Sequence, residues 1–126
     1  MIILDYKSSK PIYEQIIEQV KLNVMRQYLK PGDAIPSVRK LALELEITPG
    51  TVAKAYQELE RQQIIETIRG KGTFIANEIQ LKPDEKKLFE VKKNLQTELM
   101  ELKMMGYSKR MVVELITGIY EEMCVC

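Results

Sequence analysis

Apolar residues recur at helical spacing in the first third of the chain: Ile12, Ile16, Val20 and Val24 fall on one line, and Ile17 and Met25 widen it. Such a stripe predicts an amphipathic helix. Pro11 reads as its first residue, and it should end near Leu29, because Pro31-Gly32-Asp33 is a stop and turn signal. Residues 1–10 are too few to build a core, but their alternating apolar positions can pack on a neighbour. Beyond the turn, Val38, Leu41, Ala42 and Leu45 mark the inner face of a short helix, with Ser37 as its N-cap and Arg39 and Lys40 on the outer face. Glu46-Ile47 makes the next turn. Thr48 is then an N-cap and Pro49 a first helical residue, so a third helix should run from Pro49 to about Gln62. Its apolar set, Val52, Ala55, Tyr56 and Leu59, faces inward, which leaves Gly50, Thr51, Lys54 and Gln57 on the opposite side.

The period then changes. Ile64, Ile65, Thr67 and Ile68, followed by Thr73, Phe74 and Ile75, are β-branched or aromatic and flank Arg69-Gly70-Lys71-Gly72, a pattern that predicts a hairpin with a four-residue loop. Gly70 and Gly72 permit positive φ at its tip. Asn77 to Pro83 reads as a linker. After it, Leu88, Val91, Leu95, Leu99 and Leu102 form one stripe of a long helix that Gly106 stops. Ser108 caps a last helix whose apolar residues come in pairs, Met111/Val112, Leu115/Ile116 and Ile119/Tyr120, with Met123 beyond them. That face is wider than one partner helix covers. The fold class is therefore mainly α with a small β-hairpin wing. Residues 1–76 form an N-terminal winged helix-turn-helix and residues 77–126 a C-terminal two-helix region suited to dimerisation.

Charge sets a condition on any nucleic-acid reading. The whole chain carries 19 Lys and Arg against 18 Asp and Glu. By halves, residues 1–76 hold eleven basic against nine acidic residues, a balance of +2, and residues 77–126 hold eight against nine, a balance of −1. Bulk charge cannot drive binding to DNA, so affinity must come from local placement of cations. A basic segment ahead of a long apolar run is absent at the N-terminus, and no apolar run approaches a membrane span, so a cytoplasmic protein is expected. Cys124 and Cys126 are the two cysteines, one residue apart at the end of the chain, which fits a reducing compartment and excludes a disulfide framework of the secreted kind. Two thiolates could meet a soft metal, four in a dimer, although chain ends also carry residues without a role. There is no histidine. Without one, and without a nucleophile and base or clustered carboxylates, an enzyme is not expected: no catalytic, cofactor-binding or metal residues are assigned.

Two short helices around a tight turn, the second opening on small polar residues and followed by a basic Gly-rich hairpin, have the proportions of a DNA reader. The segments Pro11-Ile12-Tyr13-Glu14-Gln15-Ile16, Leu29-Lys30-Pro31-Gly32-Asp33, Ile35-Pro36-Ser37-Val38-Arg39-Lys40-Leu41-Ala42, Thr51-Val52-Ala53-Lys54-Ala55-Tyr56, Leu59-Glu60 and Gly70-Lys71-Gly72-Thr73-Phe74-Ile75 closely resemble the GntR family of bacterial transcription factors. The tail looks like that of its YtrA subgroup, in which a small C-terminal part is associated with dimerisation. The resemblance implies DNA contact from Arg39, from the helix start at Thr48 to Thr51, and from the wing tip at Arg69 to Lys71. Where relatives carry a basic residue in the first turn of that helix this chain has Pro49-Gly50, Ala53 stands where some members have arginine, and Gln63 stands where a glycine is often found.

The expected DNA-binding set is thus Ser37, Arg39, Lys40, Thr48, Pro49, Gly50, Thr51, Lys54, Arg69, Gly70 and Lys71. The chemistry suits it: an arginine forks onto guanine or phosphate, N–H groups and hydroxyls at a helix start hold phosphates, and a glycine tip enters a minor groove. The expected partners are double-stranded operator DNA and a second copy of the chain, in a homodimeric repressor. A winged-helix module that binds a partner protein is the alternative. The residues identify no effector.

Overall fold

The computed structural model describes residues 2–123, so Cys124 and Cys126, and the metal reading attached to them, lie outside the described residues. The chain divides into two compact units, the first ending at Gln80 and the second beginning at Leu81. The element order is α1 (Ile12–Met25), β1 (Ala34–Ile35), α2 (Val38–Leu45), α3 (Pro49–Arg61), β2 (Ile65–Ile68), β3 (Gly72–Ile75), α4 (Glu85–Met104) and α5 (Lys109–Met123). This is a mainly helical winged helix-turn-helix followed by two helices.

In the first unit α3 is central. Its residues Val52, Ala55, Tyr56 and Leu59 are buried, and they meet Ile16, Ile17 and Val20 of α1, Leu41 and Ala42 of α2, and Ile35, Ile65 and Ile75 of the sheet in one core. The inward sets read from helical spacing in α1, α2 and α3 are those that the fold buries or half-buries, except Met25, the last residue of α1, which is exposed because the helix ends there. Residues 2–10 fold back onto α1, with Ile2 and Leu4 against the core and Ile3 exposed. Two glutamines one turn apart hold this arm. The Gln15 amide donates to the Asp5 carbonyl and accepts from the Asp5 N–H, both at 2.9 Å, and the Gln19 amide pairs in the same reciprocal way with the Ile3 backbone. Each side chain thereby satisfies an extended segment as a neighbouring strand would, which explains why Gln15 is buried at no polar cost.

Five details differ from the sequence expectations. Pro11 is the N-cap of α1, one residue before the helix, and α1 ends at Met25 rather than near Leu29. Gln27 takes the left-handed conformation at φ 61, and the N–H groups of Tyr28 and Leu29 both return to the Asn23 carbonyl. This is a helix-closing turn that lacks its usual glycine, so residue type gave no stop signal before Pro31. The wing is three-stranded: β3 lies between β1 and β2, antiparallel to both, with Ala34 opposite Phe74 and Ile35 opposite Thr73. A two-residue strand is too short to show a period of two. The hairpin loop has three residues, Arg69-Gly70-Lys71, because Gly72 already pairs with Ile68 in the ladder. Finally, Thr48 occupies the N-cap position of α3 without capping a backbone N–H; its hydroxyl lies 3.0 Å from that of Thr51.

Tyr56 couples the core to the entrance of α2. Its ring is buried and its hydroxyl donates to the Pro36 carbonyl at 2.7 Å. Burial first, and the charge of Glu44 second, push that hydroxyl up to about 12. Tyr56→Phe is expected to destabilise the chain by about 1–2 kcal/mol at neutral pH, since the carbonyl loses its partner. The unfolded tyrosine ionises near the model-compound value of 10.0 while the folded one keeps its proton. Its contribution is therefore complete below pH 10 and lost as pH rises from there toward 12. Urea unfolding across that window should show a steeper alkaline loss for the wild-type chain than for the phenylalanine variant.

In the second unit, Asp84 caps α4 by accepting the Lys87 N–H at 3.0 Å, and Gly106, at φ 92, lets the chain leave that helix. Ser108 accepts the Met111 N–H at the start of α5. Both helices form where their stripes and caps place them, yet neither buries a single residue within the chain. Leu88, Leu95 and Leu99 of α4 and Leu115, Ile116 and Ile119 of α5 are all at least 39% exposed. Among the described residues, no helix is long and apolar enough to cross a membrane.

Candidate nucleic-acid interface

Three short segments supply the candidate residues, and each has a local reason for its shape. At the start of α2, Ser37 is extended, at φ −62 and ψ 162, and its hydroxyl accepts the Lys40 N–H at 3.1 Å. That cap is made from the serine side chain alone, so Arg39 and Lys40 are free to project; both are exposed. Among the described residues no carboxylate pairs with either. The turn that follows is closed by Glu46 in the left-handed conformation at φ 56, with the Ile47 N–H returning to the Ala42 carbonyl at 3.0 Å.

The second segment is the start of α3. Pro49 lacks an N–H, which costs nothing in a first turn where N–H groups have no helical partner. Thr48, Pro49 and Gly50 are exposed and Thr51 is half-buried. A Cβ built on Gly50 would meet nothing within 4 Å, so the opening of the helix is a bare backbone surface. The hydroxyl pair Thr48–Thr51 leaves the N–H groups of this turn without a side-chain cap. The Thr51 N–H already donates to the Thr48 carbonyl at 3.2 Å, which leaves the Gly50 N–H for an anion, and the helix dipole favours negative charge there.

The third segment is the hairpin tip. Gly70 sits at φ 81, a conformation that side-chain-bearing residues adopt with strain, and the Lys71 N–H closes the turn on the Ile68 carbonyl at 2.9 Å. Arg69 and Lys71 flank it, both exposed and, among the described residues, without an ion pair. Lys54, one turn into α3, is also exposed but has a contact that helical spacing did not reveal. Its ammonium stands 3.9 Å from the centre of the Tyr13 ring of α1. Tyr13 enters the sequence reading only within the Pro11–Ile16 segment, off the α1 stripe, and nothing there signals a role beside α3. The structure thus joins Lys54 to α1, Arg39 and Lys40 to a serine-capped helix start, and Arg69 and Lys71 to one three-residue loop.

A short helix pair around a tight turn, its second helix packed centrally, and a three-stranded wing define a winged helix-turn-helix. Residues 12–75 match the family described as "Bacterial regulatory proteins, gntR family", and the chain belongs to it. It is a DNA-binding transcriptional regulator, in a family of regulators and not of enzymes. The chain is 50% identical to the HTH-type transcriptional repressor YtrA of Bacillus subtilis (strain 168), over 75% of this chain and 73% of that one. It also resembles the solved structure of a transcriptional antiterminator from Listeria monocytogenes EGD-e, with a TM-score of 0.85 and 38% identity over 98% of this chain and 92% of that one. The DNA-binding domain of AraR in complex with operator ORE1 matches with a TM-score of 0.51 and 25% identity, over 60% of this chain and 93% of that one.

Proposed function

We propose that this chain is a homodimeric, cytoplasmic repressor that binds an operator of two inverted half-sites and occludes a promoter. The observation that carries the reading is the set of exposed cations on the helix-turn-helix and its wing, Arg39 and Lys40 on α2 and Arg69 and Lys71 on the wing tip, none in an ion pair among the described residues, together with an α3 whose N-cap side chain makes no cap bond. In a nearly neutral chain these four cations put positive charge on the elements that a winged helix-turn-helix uses against a duplex. In this reading Gly50, Thr51 and Lys54 enter the major groove. Thr48 and Pro49 bring the α3 backbone close to a phosphate, Ser37 orients the start of α2, and Arg39 forks onto guanine or phosphate, with Lys40 beside it. Arg69, Gly70 and Lys71 reach the adjacent backbone or minor groove. The repressor named YtrA, 50% identical over 75% of this chain, supports repression as the outcome.

The wing tests the reading. Replacing Arg69 and Lys71 together by alanine is expected to lower the slope of log affinity against log salt by up to about two, one for each neutralised phosphate. The measurement is a gel-shift titration across a salt series, on a duplex that the wild-type chain enriches from a randomised pool. A fall in affinity with an unchanged slope would mean that the tip reads bases or groove shape. If neither affinity nor slope changes, the tip takes no part in binding.

A further inference from the structure

We infer that Tyr13 is a positioning residue for operator binding, which holds Lys54 against DNA through its ring; this rests on the proposed role of Lys54 in the major groove. The argument begins with the partner that Lys54 does not have. Glu58 follows it by four residues, the spacing at which a lysine and a glutamate on a helix ordinarily pair. Glu58 is instead engaged from the other side. Arg61 donates to it through two nitrogens, at 2.9 and 2.5 Å, and the Gln62 amide adds a third bond at 2.9 Å. The carboxylate that helical spacing offers Lys54 is thus engaged elsewhere, and its ammonium rests on the face of the Tyr13 ring, 3.9 Å from the centre.

The choice of a ring over a carboxylate matters for binding an anion. A carboxylate would cancel the lysine charge and compete with a phosphate for the same hydrogens. An aromatic face attracts the ammonium through its quadrupole but leaves the charge whole, and it occupies only one side of the group. The N–H bonds on the far side stay free to donate. The ring also removes conformational freedom from a long side chain before DNA arrives, and ordering such a chain at an interface is otherwise a cost of association. Tyr13 itself stands firm, being half-buried against the core at the second position of α1. The helix that lies behind the reader thereby fixes the direction of a lysine that the reader presents.

A double-mutant cycle on the full chain tests this, with affinity measured for the duplex enriched from a randomised pool and folding checked by thermal unfolding. Tyr13→Phe keeps the ring and should bind as the wild type does. Tyr13→Leu keeps an apolar contact with the core but removes the ring, and should weaken binding by about two- to five-fold, the range of an exposed cation–ring contact. Lys54→Met should weaken binding and lower the salt slope by about one. In the Lys54→Met background, Tyr13→Leu should have no further effect. An equal loss from Tyr13→Leu in both backgrounds, or a loss from Tyr13→Phe as large as from Tyr13→Leu, would overturn the positioning role and leave Lys54 a DNA contact. No change in affinity or slope from Lys54→Met would overturn the contact itself, and the positioning role with it.

Discussion

A chain ending at Asn77 is expected to fold, to remain monomeric, and to bind single half-sites weakly with no preference for their spacing. Folding follows because the first unit has its own core: Ile16, Val20, Val52, Leu59 and Ile75 are fully buried within it, every buried residue of that core lies before Asn77, and beyond Asn77 the half-buried Ile79 packs against it. Loss of self-association follows from where unsatisfied apolar surface sits. The stripes of α4 and α5 are continuous, and neither helix buries a residue of its own. Fully burying one such side chain contributes about 1.5–3 kcal/mol. These side chains are already about half covered, so each contributes about half of that, and a handful from each of two chains supplies free energy of the order of the roughly 4–15 kcal/mol lost on association. The paired positions Met111/Val112, Leu115/Ile116 and Ile119/Tyr120 give α5 a face broad enough for more than one neighbour, and at Gly118 a Cβ would meet nothing within 4 Å, which leaves room for close helix approach. A dimer ties two readers together, so the second half-site binds from a high effective concentration. Removing the tail should lower affinity for a two-half-site duplex by about 10²–10⁴-fold. Sedimentation of both chains decides the point: a full-length monomer, or a shortened chain that still dimerises, would give the tail another task.

Arg39→Ala is the substitution with the largest expected effect on DNA binding. Its side chain is exposed and has no ion pair among the described residues, and it projects from a helix start held by Ser37 without its help. Truncating it removes no cap and opens no cavity. Thermal stability should stay within about 0.5 kcal/mol of the wild type. Affinity for the enriched duplex should fall by about 1–3 kcal/mol, the range for an arginine that forks onto a guanine. Titrations against duplexes that vary one base pair at a time distinguish its two roles: lost discrimination at one position marks a base contact, and a uniform loss marks a phosphate contact. Unchanged affinity would remove Arg39 from the interface.

The helices were legible because their apolar positions repeat over two turns or more, and because Ser37, Pro49, Gly106 and Ser108 sit where a helix starts or stops. The wing was legible in outline from the β-branched runs around Gly70. What escaped was local and lacked a repeating pattern. The strand at Ala34–Ile35 is defined by β3 rather than by its own two residues. The end of α1 is set by Gln27, and that of α3 by Gln63 at φ 60, both left-handed without being glycine. Gln63 therefore performs the closing turn that the family's more usual glycine would perform, with the Ile64 N–H returning to the Leu59 carbonyl at 2.9 Å. The candidate interface was legible as three segments but not as contacts. That Lys54 rests on Tyr13, 41 positions earlier in the chain, is an outcome of packing between α1 and α3, which no spacing rule within one helix encodes, whereas the turn of Glu58 to Arg61 is a choice of the i,i+3 partner on α3 over the lysine at i−4.

The claim at the centre of this account is that the paired winged helices read a specific duplex. It is tested most directly by the affinity of the full chain, at one fixed salt concentration, for the enriched duplex and for the same duplex with one half-site scrambled. The account predicts a loss of about 10²-fold or more on scrambling, since one reader then contacts the backbone alone. Equal affinity for the two duplexes would contradict it.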